Sequence, residues 1–218
     1  MKSTVSVTFL VLTLLFCVCL IVSNLMEIKT IDAGPLTITA GVIVFPISYI
    51  ISDCIVEIYG FSRARLVIWL GFAMNLLVTI LLQIGLWLPG NADWTGQEAM
   101  SLIFGATPRI LCASFTAFLC GSMVNAFVMA RMKGKRSQGE RFSRRAIIST
   151  LWGEGTDSLI FFPIAFGGVL AWDTILTLIL TQTLLKTAYE IMILPVTIRV
   201  VKRLRAAESR LESTQNVA

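Results

Sequence analysis

Apolar residues dominate six stretches of this chain, at 5–26, 36–59, 66–88, 110–132, 146–171 and 174–201, and polar residues collect between them. Each stretch reaches the ~20 residues that an α-helix needs to cross the ~30 Å hydrocarbon core of a bilayer. The pattern predicts an all-α integral membrane protein of six transmembrane helices. They form one domain over residues 1–205, followed by a polar, disordered cytoplasmic tail over 206–218. The first stretch is too long for a signal-peptide core and lacks a small-residue cleavage site, so it is expected to remain as the first helix. Residues 89–109 form the one long connector, within which 97–104 suits a short helix lying in the interface.

Composition strengthens the picture. Hydrophobic residues make up 56% of the chain and charged residues only 14%, with a mean hydropathy of +0.82. A soluble domain would carry about a quarter charged residues. There is no histidine, which excludes a histidine base, a His-ligated metal and a Ser-His-Asp triad. The five cysteines, Cys17, Cys19, Cys54, Cys112 and Cys120, lie in apolar stretches without a C-x-x-C spacing, so they read as small buried hydrophobes.

The net charge of +5 is informative through its distribution. With the N-terminus inside, fifteen of the 18 cations fall on the cytoplasmic side: Lys2, Arg63 and Arg65, the run within 131–145 and the group within 199–210. Only Lys29 and Arg109 fall outside, and Lys186 lies within the sixth stretch. Cytoplasmic loops are enriched in Lys and Arg, so the topology is N-in, C-in. The same rule accounts for the basic run 131–145 without a lipid-headgroup or nucleic-acid site, and no nucleic-acid partner is expected.

Charged side chains near a bilayer centre cost about 2.5 to 3.5 kcal/mol each and usually face a partner or a cavity. The second stretch carries Asp53 and Glu57, the fifth Glu154 and Asp157, the sixth Lys186 and Glu190. Spacings of four, three and four put each pair on one helical face. Asp157 and Lys186 fall near mid-span, and Asp53 and Glu154 about 6 to 8 Å toward the cytoplasm, at ~1.5 Å per residue. These four groups are therefore expected to meet.

Glu57 and Glu190 lie nearer the cytoplasmic end, as coupling or gating residues or as partners of Arg63 and Arg65. Five carboxylates against one lysine cannot sit in a dry bundle. Some must be protonated, wet, paired with loop arginines or neutralised by a cationic solute. A Lys186 that only bridged two acids would leave the other acids unexplained.

Gln182, Lys186 and Glu190 form a polar stripe, and Asn75, Asn125 and Gln182 are the best further candidates for solute contact. Gly71, Gly121 and Gly153 are expected to serve close helix packing. Phe45 and Tyr49 precede Asp53 by two turns and one, and Trp152, Phe161 and Phe162 surround Asp157 in sequence. Aromatic rings with carboxylates suit a flat heterocycle: the rings stack, a carboxylate accepts adjacent N–H groups, and Lys186 donates to a ring carbonyl. Phe45-Pro46-Ile47 recurs as Phe162-Pro163-Ile164. This recurrence is what a 3+3 inverted repeat predicts, with prolines that loosen both helices.

The run Phe45-Pro46-x-x-Tyr49-x-x-x-Asp53-x-x-x-Glu57-x-Tyr59-Gly60-x-x-x-Ala64-Arg65 resembles the signature of the queuosine precursor transporter family, also called the vitamin uptake transporter family. Ser149-Thr150-x-x-Gly153-Glu154-x-x-Asp157-Ser158-x-x-Phe161, then Lys186 with Pro195 nine residues on, extend the likeness. It covers roughly residues 20 to 200. The resemblance implies import of 7-deazaguanine precursors of queuosine across the bacterial inner membrane: the 7-cyano or 7-aminomethyl base, or queuine. It carries Asp53, Glu154, Asp157 and Lys186 over as substrate or coupling residues.

No Walker-type loop is present, so secondary transport is expected, with no cofactor. A solute-binding membrane subunit that needs a separate ATPase module is the alternative. A membrane-embedded enzyme or assembly factor is a third reading, whose one metal route is a carboxylate-only site of Asp53, Glu154 and Asp157. The predicted partners are a deazaguanine-type solute and the bilayer, with room for a homodimer.

Overall fold

Where the second apolar stretch predicts one continuous helix, the backbone turns twice before any helix starts. The computed structural model describes residues 6–34, 36–132 and 140–215. The side chains of Tyr49, of residues 140–146 and of residues 205–215 are among those outside the description, and with them much of the basic run 131–145. The chain opens with α1 (Val7–Met26), then a hairpin of β1 (Thr30–Ala33) and β2 (Leu36–Thr39), and one 3-10 turn (Ala40–Ile43). Helices α2 (Phe45–Tyr59), α3 (Phe61–Trp87), α4 (Gln97–Phe104), α5 (Thr107–Arg131), α6 (Glu140–Phe166) and α7 (Trp172–Gln215) follow.

The hairpin has a local cause. Thr30-Ile-Asp-Ala and Leu36-Thr-Ile-Thr are rich in β-branched residues and flank a turn at Gly34, whose φ of 67° suits a residue without Cβ. The strands pair antiparallel, Thr30 opposite Thr39 and Ile31 opposite Ile38. A helix in this segment would have to absorb both the glycine and the proline after it, whereas a hairpin suits such a pair. Two side chains of α7 tie the hairpin down: Thr181 Oγ1 donates to Thr37 O at 2.9 Å, and Gln182 Nε2 donates to Thr39 Oγ1 at 2.7 Å.

With the first third of the stretch spent on β2 and the 3-10 turn, α2 has 15 residues, about 22 Å of rise. Pro46 stands in its first turn, where the missing N–H has no partner to lose. The loosening expected of Pro46 therefore does not arise, because it starts a helix. Pro163 sits inside α6, one turn from the end, so the two Phe-Pro-Ile motifs occupy different places in their helices.

The other five stretches fall on α1, α3, α5, α6 and α7. The short helix expected at 97–104 is α4. By length and composition, three helical segments among the described residues qualify to cross a membrane: Val7–Met26, Phe61–Trp87 and Gln97–Val128. Large apolar side chains cover their outer faces, as do those of α7, where Leu180 and Leu184 are more than 60% exposed; water would not favour such a belt. α7 runs on as helical backbone to Gln215, into the segment read from sequence as a disordered tail. Ala206, Ala207, Glu208, Arg210 and Leu211 are all strong helix formers.

Two hydrophobic clusters hold the bundle. One joins α5, α6 and α7 around Ile110, Phe162, Phe166, Ile175 and Leu178. The other joins α1, α2, α3 and α5 around Phe16, Leu20, Ile55, Val67 and Phe72. Small residues set the spacing, as expected. A Cβ on Gly121 would lie 2.9 Å from the carbonyl of Gly153, and one on Gly153 would lie 2.8 Å from Asn125 Cβ. At Gly71 it would lie 2.8 Å from Phe16 Cε1. At the top of α5, Arg109 donates from Nε to Ile164 O and from Nη2 to Gly167 O, a cation at the C-terminus of α6.

Gly121→Leu is expected to force α5 from α6 and to destabilise the protein by about 1–3 kcal/mol, the usual range for overpacking. A lowered melting temperature in detergent checks this; an unchanged one would mean that the helices do not touch there.

Candidate functional site

Glu154 and Asp157 stand three residues apart on α6 and so project from one face, toward α7. Lys186 of α7, 9% exposed, meets both: its Nζ donates to Asp157 Oδ2 at 2.8 Å and lies 3.6 Å from Glu154 Oε2. The same ammonium sits 5.1 Å from the centre of the Phe45 ring, within cation–π range. A buried ammonium is tolerable only with such partners, because its desolvation penalty must be recovered through geometry and added hydrogen bonds.

Two cavities meet at this triad. The first lies between the two hydrophobic clusters and is walled by aromatic rings, among them Phe16, Phe45, Phe72, Phe161 and Phe162. Its polar lining comprises Glu27, Ser48, Ser52, Ser114, Asp157 and Lys186. The second is lined by Asp53, Ser122, Asn125, Thr150, Glu154, Asp157 and Glu190. Asp157 and Phe118 line both. Space open to the centres of water molecules is about 70 Å³ in the first and about 190 Å³ in the second. One water needs ~10–15 Å³ by this measure, so both have room for several waters or for part of a solute.

The sequence candidates distribute as follows. Asp157, Lys186, Phe45 and Phe161 line the aromatic cavity. Asp53, Asn125, Glu154 and Glu190 line the acidic one together with Asp157. Glu190 Oε1 accepts from Thr150 Oγ1 at 3.1 Å. Of the four groups expected to meet, Lys186, Asp157 and Glu154 form the triad, and Asp53 shares the acidic cavity with the two carboxylates.

Three further candidates stand apart from both linings. Glu57 is on the exposed side of α2. Asn75 is buried on α3. Gln182, 1% exposed, is turned to the hairpin. Tyr49 lies outside the described side chains. Among the described residues no group of three or more Asp, Glu, Cys or His side chains is placed to hold a metal ion, so Asp53, Glu154 and Asp157 are neighbours without being a ligand set.

Glu27 was not legible as a site residue. It stands one position past α1, where a carboxylate reads as the start of a loop, yet it is only 2% exposed and lines the aromatic cavity. The signal that could have found it is the alternation and Gly-Pro turn of 30–39, which fold the chain back onto the end of α1.

Together the two cavities offer aromatic faces for a flat ring, an ammonium donor beside them and a row of carboxylates leading away. Lys186→Met is expected to leave Asp157 and Glu154 buried without their cation and to cost about 3–5 kcal/mol. Lys186→Met combined with Asp157→Asn and Glu154→Gln is expected to regain most of that loss, since no charge then remains unpaired. Melting temperatures of the purified variants decide; a single variant as stable as the parent would mean that the triad carries no net interaction.

Comparison with known proteins adds an independent line. The family model described as "Putative vitamin uptake transporter" matches residues 39–200. The "Probable queuosine precursor transporter" of Bacillus subtilis (strain 168) is 29% identical over 174 residues, 79% of this chain and 76% of the relative. The "Queuosine precursor transporter" of Escherichia coli (strain K12) is 31% identical over 128 residues, 59% of this chain and 55% of the relative. A third relative, from Haemophilus influenzae, is 27% identical over 128 residues, 59% of this chain and 52% of the relative. No solved structure matches the chain. The family match contains the whole Lys186 triad, Asp53 and Glu190, while Glu27 precedes it.

Proposed function

This chain belongs to the vitamin uptake transporter family, and from that premise we propose that it is a secondary transporter that imports queuosine precursors across the bacterial inner membrane. The solute is a 7-deazaguanine base, the 7-cyano or 7-aminomethyl compound or queuine. The relatives from Bacillus subtilis and Escherichia coli are named for the transport of queuosine precursors. In this reading the chain crosses six times with both ends inside. The hairpin, the 3-10 turn and α2 together supply the second crossing, since α2 alone is short of the ~30 Å core. Irregular backbone at that depth is tolerable where it is buried in protein or faces a cavity, and Thr39, Ala40 and Gly41 are buried.

The observation that carries the reading is the position of the Lys186–Asp157–Glu154 triad between an aromatic cavity and an acidic one. A base entering the first cavity stacks on the phenylalanines and offers its ring carbonyl to Lys186. Each hydrogen bond that Lys186 makes to solute weakens its hold on Asp157, whose carboxylate then turns to N–H donors or takes a proton. Asp53, Glu154 and Glu190 in the second cavity give that proton, or the water that carries it, a path away from the solute. Solute and triad thus compete for the same charges, and that competition couples the state of the cavities to occupancy.

Uptake of labelled 7-cyano-7-deazaguanine into cells that neither make the base nor hold another carrier for it is the test. The parent chain is expected to support uptake, and Asp157→Asn to lower it at least about tenfold, the effect of losing one charge-assisted hydrogen bond. The triple variant Lys186→Met, Asp157→Asn, Glu154→Gln is expected to fold and to carry nothing. Uptake by liposomes holding the purified chain alone separates this reading from a subunit that needs an ATPase. Parental uptake by the triple variant would remove the proposed site.

A further inference from the structure

The Lys186 triad meets a solute only by giving up contacts of its own, whereas other polar groups of the aromatic cavity have hydrogen-bonding capacity to spare. Two polar groups lining that cavity are more than nine-tenths buried and carry an atom without a hydrogen-bond partner among the described residues: Glu27 at Oε2 and Ser48 at Oγ. A carboxylate oxygen buried without a donor is costly, and in native structures such an atom usually has a ligand, ion or water to meet.

The rest of Glu27 is built into place. Gln182 Nε2 donates to Thr39 Oγ1 at 2.7 Å, which leaves the Thr39 hydroxyl its own proton to donate to the Glu27 carboxylate. Gly41 makes the room: a Cβ there would strike Glu27 Oε1 and lie 2.8 Å from Cδ and 2.9 Å from Cγ. The hairpin therefore does more than complete a short helix. It supplies a glycine cradle and a neighbouring hydroxyl that hold the Glu27 carboxylate in the lining of the cavity.

We propose that Glu27 is the specificity residue of the aromatic cavity, accepting the paired N–H donors of an amino-pyrimidinone edge, a ring N–H beside an exocyclic amine. The inference rests on the transport of a deazaguanine-type base argued above and names the group that selects it. A carboxylate has about four lone-pair sites and can meet two parallel donors. With one site taken by Thr39, Glu27 keeps enough for both. Ser48 Oγ supplies a further donor or acceptor. A ring that lacks the exocyclic amine leaves a carboxylate lone pair unmet, and sites built for a polar group reject analogues without it.

The test is titration calorimetry on the full-length chain in detergent, with 7-cyano-7-deazaguanine and with its analogue lacking the 2-amino group. The parent is expected to bind the amino compound more tightly by at least about tenfold. Glu27→Gln is expected to lose that margin, weakening the amino compound while leaving the analogue unchanged, because the amide presents one acceptor oxygen in place of two. Thr39→Val, which removes the neighbouring hydroxyl, is expected to reduce the margin in the same direction, and it serves where Glu27→Gln does not fold. A folded variant of either kind that keeps the parental ratio overturns the role of Glu27 and leaves the carrier reading standing. A parent chain that binds neither compound overturns both.

Discussion

Lys186 holds its charge inside an apolar bundle because α6 presents two carboxylates to it three residues apart. Everything around the site is arranged so that this contact survives. An isolated ammonium in such surroundings would lose its proton or pull in water. One carboxylate at hydrogen-bond distance and a second at 3.6 Å stand against the ammonium, and the Phe45 ring adds a further favourable face. The contact in turn sets the register of α6 against α7. The close approach of α5 through Gly121 and Gly153 then brings Asn125 and Ser122 to the same cavity.

The triad also divides the space. Aromatic side chains of both hydrophobic clusters wall the cavity on one side of Asp157, and carboxylates from α2, α6 and α7 line the other. A bundle that buried its acids evenly would have to neutralise each one separately. Gathering them around one cavity with room for several waters lets the same waters, protons or solute serve all of them.

On the proposed topology, the N-terminal third resolves a conflict between backbone and bilayer. A segment with Gly34-Pro35 in its middle cannot continue as a helix, and open strand edges have no place in hydrocarbon. A two-stranded hairpin satisfies half of its backbone groups within itself. Thr181 donates to the strand carbonyl of Thr37 and Gln182 to the strand hydroxyl of Thr39, so α7 meets part of what the second strand leaves open. In this arrangement Gln182, which in the sequence reads as one more member of a solute-facing stripe, becomes a support for the hairpin.

Apolar run lengths and the positions of Asp53, Glu154, Asp157 and Lys186 were enough to give five of the helices and to bring together four charges that line the two neighbouring cavities. Those properties are local: hydrophobicity, helical period and the energetic penalty on a buried charge act on neighbours in the chain. Sequence could not tell that the start of the second run pairs as strands, because its apolar content suits either structure. Nor could it place Glu27, since a carboxylate at a helix end is ordinary in solution. That Glu27 is buried beside Lys186, that Gln182 turns away to Thr39, and that Asp157 faces two cavities all depend on how distant segments pack. Helical period determines which residues share a face; only the packed bundle decides what that face meets.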